Sequence, residues 1–221
     1  MSTYNKTNND VKKFNLNLKK KYFQKLFKTL YIYRYILNTN LLNILYKLRK
    51  MLVLVGLMGA GKSSIGNKLS DFLNVGFLDA DSEIEKAAGM TIVEIFEKFG
   101  EKYFRAGEKK VVSRLMLQKP QVLSSGGGAF ISDDLRELIK KHGFSIWLKA
   151  DYETLWPRVS GKKNRPLLNQ LEPEKVLKSL IRERNPIYSE ADITIESKPK
   201  VSHSKMVEKI VIELKKNQMF V

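Results

Sequence analysis

The sequence predicts an α/β fold: a central parallel sheet of about five strands between two layers of helices, a three-layer α/β/α arrangement. Three observations carry this. From residue 51 onward, short apolar runs of strand length alternate with longer segments of helical period. The first run feeds a glycine-rich turn that opens directly into a helix. The strand–helix alternation then repeats to the C-terminus, and repeated β-α units imply parallel strands covered on both faces.

The elements follow in order. Leu52–Val55 is the first strand, and Lys62–Leu73 a helix with Ile65, Leu69, Phe72 and Leu73 on one face. Gly76–Leu78 is a second strand that ends in Asp79-Ala80-Asp81, and Ser82–Ala88 a short helix stopped by Gly89. Thr91 and Glu94 have the spacing of a capping box, which opens a helix to Phe99. Glu101–Gln118 reads as a long helix stopped before Pro120. Gln121–Ser125 is a strand that runs into Gly126-Gly127-Gly128; Asp133–Lys141 is a helix and Ser145–Lys149 a strand. Tyr152–Val159 is helical, with Pro157 bending or ending it. Ser160–Gln170 is polar and basic, a candidate mobile loop. Pro173–Arg184 is a helix expected to end before Pro186. Ile193–Ile195 is the last strand and Ser202–Lys216 the last helix. No internal repeat is visible.

Composition narrows the chemistry. The chain has 221 residues, 43% hydrophobic and 29% charged, as for one globular domain with an appendage. It has no cysteine, which excludes disulfides, thiolate nucleophiles and Cys-ligated zinc and fits a reducing compartment. Two histidines make a multi-histidine metal site improbable. The net charge of +17 is uneven: residues 1–50 hold 12 Lys and Arg against the single acid Asp10. The rest is only moderately basic, which suits phosphates and acidic small molecules and does not require nucleic acid.

That composition shift divides the chain into a basic extension, 1–50, and a main α/β domain, 51–221. The extension has no uncharged run long enough to span a membrane and no compact apolar core of a secretory signal. Three readings stay open for it: translated sequence upstream of a true start at Met51, a targeting segment, or a basic amphipathic helix that touches membrane or nucleic acid.

Gly56 to Ser63 matches G-x-x-x-x-G-K-[ST], with an apolar strand before it and a helix after it. Backbone N–H groups of such a loop wrap phosphate oxygens, and the helix N-terminus adds partial positive charge. Lys62 then reaches the β- and γ-phosphates and Ser63 ligates Mg²⁺, with Gly59, Ala60, Gly61 and Ser64 completing the ATP cradle. The acceptor side is less contiguous. Asp79 and Asp81 lie at the carboxyl end of a strand, where open parallel sheets bind ligands. In extended chain they would point apart and serve two tasks; alternatively Asp81 only caps the following helix. Arg105 and Glu108 are spaced to pair on a helix. Gly126-Gly127-Gly128 suits a place where backbone approaches a ligand. Arg184, just before Asn185-Pro186, could be only a helix cap.

Taken together, these pieces resemble the shikimate kinase family from about Leu52 to the last helix. The resemblance rests on Gly-x-Gly-Lys-Ser at 59–63, Phe77-Leu-Asp-Ala-Asp81, and Phe104-Arg105 with Glu108. It extends through Gly126-Gly-Gly128, Asn164-Arg165-Pro166-Leu-Leu168 and Glu183-Arg184-Asn185-Pro186-x-Tyr188. It implies a P-loop kinase with a mobile lid and shikimate-binding helices, which transfers the γ-phosphoryl group of ATP to the 3-hydroxyl of shikimate in chorismate and aromatic amino acid biosynthesis. Asp81 would contact the shikimate hydroxyls as base or orienter. Arg105, Arg184 and the Gly127 N–H would bind the carboxylate, and Glu108 would orient Arg105. Phe96, Phe104, Gly126 and Gly128 would support the pocket. Asp79 would hold Mg²⁺ through water, Arg165 would reach ATP from the lid, and Arg158 would support it. Partners are ATP, Mg²⁺ and shikimate, with no nucleic acid or membrane, in a cytoplasmic monomer. Position alone suggests adenine contacts near Lys198–Lys200. Ala80 departs from the Ser or Thr common in the family. A kinase for another polyol acid such as gluconate, a non-catalytic nucleotide binder and a nucleic-acid binder are the alternatives.

Overall fold

β1 (Met51–Val55) is buried at all five positions, which places it at the centre of the sheet. The computed structural model describes residues 47–162, 165–199 and 201–221. The basic extension lies outside the described residues apart from 47–50, as do Asn164 and Lys200.

Five parallel strands form one sheet in the order β2-β3-β1-β4-β5. The others are β2 (Phe77–Asp79), β3 (Val122–Ser124), β4 (Gly143–Lys149) and β5 (Ile193–Glu196). The helices are α1 (Lys62–Leu73), α2 (Ala80–Ala88), α3 (Ile92–Met116), α4 (Asp133–His142), α5 (Tyr152–Val159), α6 (Pro173–Tyr188) and α7 (His203–Lys216). Pairing of Leu52 with both Val122 and Phe144 sets the central register. Because β2, β3 and β1 are neighbours, Asp79, Ser125 and Gly56 all leave the sheet at one carboxyl edge, where ligands bind in open α/β sheets.

Two boundaries, the start of α2 and the end of α6, differ from expectation for local reasons. α2 starts at Ala80, because the Asp79 carboxylate accepts hydrogen bonds from the amides of Asp81 (3.1 Å) and Ser82 (3.4 Å). Asp81 is therefore in the first helical turn and is not the cap, so the extended-chain alternation does not apply to it. α3 starts at Ile92 behind a formed capping box and is broken at Gly100 (φ 78°, ψ 175°), the point between Phe99 and Glu101 where the sequence divides two helices. α6 continues through Pro186 to Tyr188. Pro186 has no N–H for the Arg182 carbonyl, so it costs the helix one ladder bond near its end, which the last turn tolerates.

The folded body reaches back before Met51. Leu48 is buried and forms an antiparallel bridge with Phe220. The Arg49 amide donates to the Met219 carbonyl (3.1 Å) and the Val221 amide to the Lys47 carbonyl (2.8 Å). These contacts tie the last residues of the chain to the start of β1.

Candidate active site

Gly61 is the N-cap of α1 at φ 96°, a backbone conformation open to glycine at little steric cost. Neither a capping side chain nor an acid occupies that helix start, so its N–H groups remain available to an anion. The Lys62 ammonium donates to the carbonyls of Gly56 (2.8 Å) and Leu57 (3.1 Å), which leaves its third N–H for a ligand. The Ser63 hydroxyl donates to Asp79 (2.6 Å) and lies 3.4 Å from the Ser124 hydroxyl. Behind the loop, Arg158 of α5 donates to the Gly59 carbonyl (3.0 Å). A cavity of ≈ 360 Å³ opens over this loop, reaching Arg158, Lys162 and His203.

A second cavity adjoins the first. It is bounded by Phe96 and Phe104, whose ring centroids are 4.9 Å apart, and by Arg105, Glu108, Gly126 and Arg184. Met58, Asp81, Gly127 and Arg165 border both cavities. The glycines here make room for charge. A Cβ on Gly126 would lie 2.3 Å from a Glu108 oxygen and 3.0 Å from an Asp81 oxygen. One on Gly128 would lie 2.2–2.7 Å from the Arg105 guanidinium. Arg105 is held by Glu108 (2.7 Å) and by Glu101 (2.9 and 3.1 Å), with its guanidinium carbon 5.0 Å from the Phe104 ring centre. Arg184 of α6 donates to the Gly127 carbonyl (3.0 Å), and the Tyr188 hydroxyl, one helical turn on, donates to the same oxygen. Arg184 is thus a side chain within a helix, aimed into the site, and not a terminal cap.

The electrostatics follow from burial. Desolvation lowers the Lys62 pKa to about 8, with Arg165 and Arg184 pushing the same way and Asp81 and Asp79 opposing. Burial raises the Asp81 pKa above the usual carboxylate range, against the pull of Lys62. Burial raises Glu108 as well, against Arg105. The Arg165 Nε is buried without a protein partner, so the head group at the cavity junction carries unused donor capacity.

The residues singled out for ATP, the acceptor and Mg²⁺ border these cavities or brace groups that do, except Ala60, which is buried with its amide closing a turn onto the Leu57 carbonyl (3.2 Å). Lys198, from the stretch expected near adenine, pairs with Glu196 (2.9 Å) and lines neither cavity. Sequence reasoning missed Met58, His203 and Tyr188. Met58 occupies a variable position of the phosphate loop, where the spacing sets the backbone but not which side chain faces the second cavity. His203 opens the last helix, some 140 residues from the loop it faces, with no local signal. Tyr188 could have been found from its spacing of four from Arg184, which places both on one helical face. Asp79 and Ser63 are an all-oxygen donor pair of the kind that suits a hard cation completed by phosphates and water. Among the described residues no group of three or more His, Cys, Asp or Glu could form a metal cage.

Comparison with known proteins is consistent with this geometry. The family described as shikimate kinase matches residues 58–215. A shikimate kinase of Ruegeria pomeroyi is 48% identical over 167 residues, which cover 76% of this chain and 86% of that protein. Among solved structures, a shikimate kinase from Acinetobacter baumannii in complex with shikimate is 39% identical, with a TM-score of 0.74 over 77% of this chain and 95% of its own. One from Aquifex aeolicus is 32% identical, with a TM-score of 0.65 over 76% and 98%.

Proposed function

This chain belongs to the shikimate kinase family, and from that premise we propose how its residues share the transfer of the γ-phosphoryl group of ATP to the 3-hydroxyl of shikimate. The enzyme is an ATP-dependent kinase with shikimate as its acceptor. One observation supports the assignment of roles above all. The cavity over the phosphate loop and the cavity between Arg105 and Arg184 meet at Asp81 and Arg165.

ATP phosphates lie over the loop from Gly59 to Ser64, against the N-terminus of α1, with Lys62 on the β- and γ-phosphates. Shikimate lies in the second cavity with its ring on Phe96 and Phe104. Its carboxylate sits between Arg105 and Arg184, because guanidinium forks bind carboxylates bidentately. Its 3-hydroxyl faces Asp81. As the new O–P bond forms and the bond to the ADP oxygen breaks, Asp81 takes the hydroxyl proton; a carboxylate raised by burial is better matched to that task. The transition state is loose, so orientation and charge neutralisation contribute more than base strength. Arg165 supplies positive charge at the junction, Arg158 steadies the loop, and the turn at Pro166–Leu168 helps exclude water.

Ser63 would hold Mg²⁺ directly and Asp79 through water, and the ion would neutralise phosphate charge when bound. We propose that the enzyme acts as a monomer, since both halves of the site can be assembled within one chain. ATP dependence in a chain without cysteine supports a cytoplasmic location. No helix among the described residues is long and apolar enough to cross a membrane. Every residue given a role here lies within the domain from 51 to 221.

The test is ATP consumption by the full chain with Mg²⁺ and shikimate, gluconate or no acceptor, for wild type and Asp81→Asn. Shikimate alone should stimulate the wild type, and the variant should lose about 10²-fold or more in kcat. Equal stimulation by gluconate, or near-normal turnover of Asp81→Asn, would overturn the assignment.

A further inference from the structure

Arg105 has five N–H donors, and the structure accounts for three of them. Its Nε and one terminal nitrogen both donate to a single oxygen of Glu101, at 3.1 and 2.9 Å. The other terminal nitrogen donates to Glu108 at 2.7 Å. Two N–H groups are left, one on each terminal nitrogen, which is the number a bidentate carboxylate needs. The Gly128 α-carbon packs closely against the guanidinium, so rotation is limited on that side.

The two glutamates differ in kind. Glu108 is buried, with 2% of its side chain exposed, and it holds one nitrogen. A single N–H···O contact lets a planar group pivot about it. Glu101 lies four residues before Arg105 on α3, is 48% exposed, and takes the opposite edge of the fork. Two contacts on different nitrogens fix the plane, where one would not.

We propose that Glu101 is a positioning residue for the acceptor carboxylate: it braces Arg105 from the solvent side and determines which two N–H groups face the substrate. This rests on the assignment of Arg105 to the shikimate carboxylate. Glu101 itself touches no substrate. Its half-exposed ion pair contributes little to stability, so its effect falls on the geometry of Arg105 and not on the fold. Orientation of a fork lost in this way weakens recognition of a planar anion more than recognition of a neutral group.

The experiment is steady-state kinetics of Glu101→Ala and Glu101→Gln in the full chain, with shikimate and with its uncharged carboxamide, alongside wild type and Arg105→Ala. Glu101→Ala should raise KM for shikimate about three- to tenfold, with kcat and KM for ATP within about twofold of wild type. Glu101→Gln, which keeps an acceptor oxygen, should fall between. The kcat/KM for the carboxamide should not change. An unchanged KM for shikimate, or an equal loss with the carboxamide, would overturn the proposal. A lower KM would overturn it too, since Glu101 would then be competing with the substrate for Arg105. If Arg105→Ala left KM for shikimate at the wild-type value, the carboxylate site itself would be misassigned.

Discussion

The two halves of the active site are built by different means. The nucleotide half is one contiguous turn, Gly56 to Ser63, that presents backbone amides and a helix end. The acceptor half is assembled from side chains on α2, α3 and α6 and from the glycine turn after β3, so Asp81 and Arg184 are about a hundred residues apart in sequence. Backbone donors come with the loop and need no further support. The side chains of the acceptor half are charges partly withdrawn from water, with Glu108 fully buried, and each needs support: Glu108 for Arg105, the Gly127 carbonyl for Arg184, and the space left by Gly126 and Gly128. Recognition of phosphate is thus local and shared across many proteins, whereas recognition of the acid acceptor is a property of the whole tertiary fold.

Arg184→Ala breaks that comparison at its strongest point and should give the largest effect. Truncating one partner of a desolvated charge contact costs about 2–5 kcal/mol. KM for shikimate should therefore rise by about 10²-fold. Calorimetric binding of a non-hydrolysable ATP analogue at neutral pH should change little, because Arg184 makes its hydrogen bond to the Gly127 carbonyl and is a minor influence on Lys62 beside burial. Equal loss of both affinities would show that the halves are not separable.

The same difference explains how much could be read from sequence. The phosphate loop, Lys62–Leu73 and the capping box at Thr91 and Glu94 are local patterns, and the structure has them where the spacing put them. Boundaries failed where a neighbouring cap or a terminal position overrode the propensity legible in the sequence. Asp79 captured two amides and drew α2 back to Ala80, and α6 tolerated Pro186 in its last turn. Arg184 and Asp81 drew attention in the sequence but looked like caps, because local spacing does not show that a long-range fold turns them into one cavity. Tyr188, Met58 and Glu101 matter only through atoms that come near them in three dimensions.

A second comparison sets the site against the seam where the chain's last residues meet the start of β1. Leu48→Ala removes a buried side chain from that seam while leaving every site residue in place. Large-to-small changes in a core cost about 2–5 kcal/mol, and a seam near a chain end should lie at the low end, about 2 kcal/mol. The melting midpoint should drop by about 4–8 °C, with kcat and both KM values unchanged. A chain begun at Met51 would lose the same contacts and should melt lower than one begun before Tyr46. A change in KM without a change in melting would mean that the seam communicates with the site.

The smallest effect sharpens the contrast between the halves through pH. Lys62 belongs to the nucleotide half, but its neighbours Arg165 and Arg184 help burial to bring its pKa to about 8 in the ligand-free protein. ATP phosphates favour the ammonium form, so binding above pH 8 must draw a proton from solution. Affinity for the ATP analogue should be nearly level from pH 7 to 7.5 and then weaken, approaching about tenfold, or 1.4 kcal/mol, per pH unit. Lys62→Arg stays charged and should bind more weakly overall without that slope. Stability runs the other way. Between the folded value of about 8 and the ordinary lysine value of 10.5, the unfolded chain holds more protons at Lys62 than the folded one. This residue's contribution to stability therefore rises with pH over that window. A titration of ATP-analogue affinity from pH 7 to 9.5, paired with denaturant unfolding of the free protein, reads both slopes. A level affinity profile would mean that Lys62 keeps its proton throughout, and that burial at the phosphate loop does not disfavour its ammonium form in the free protein.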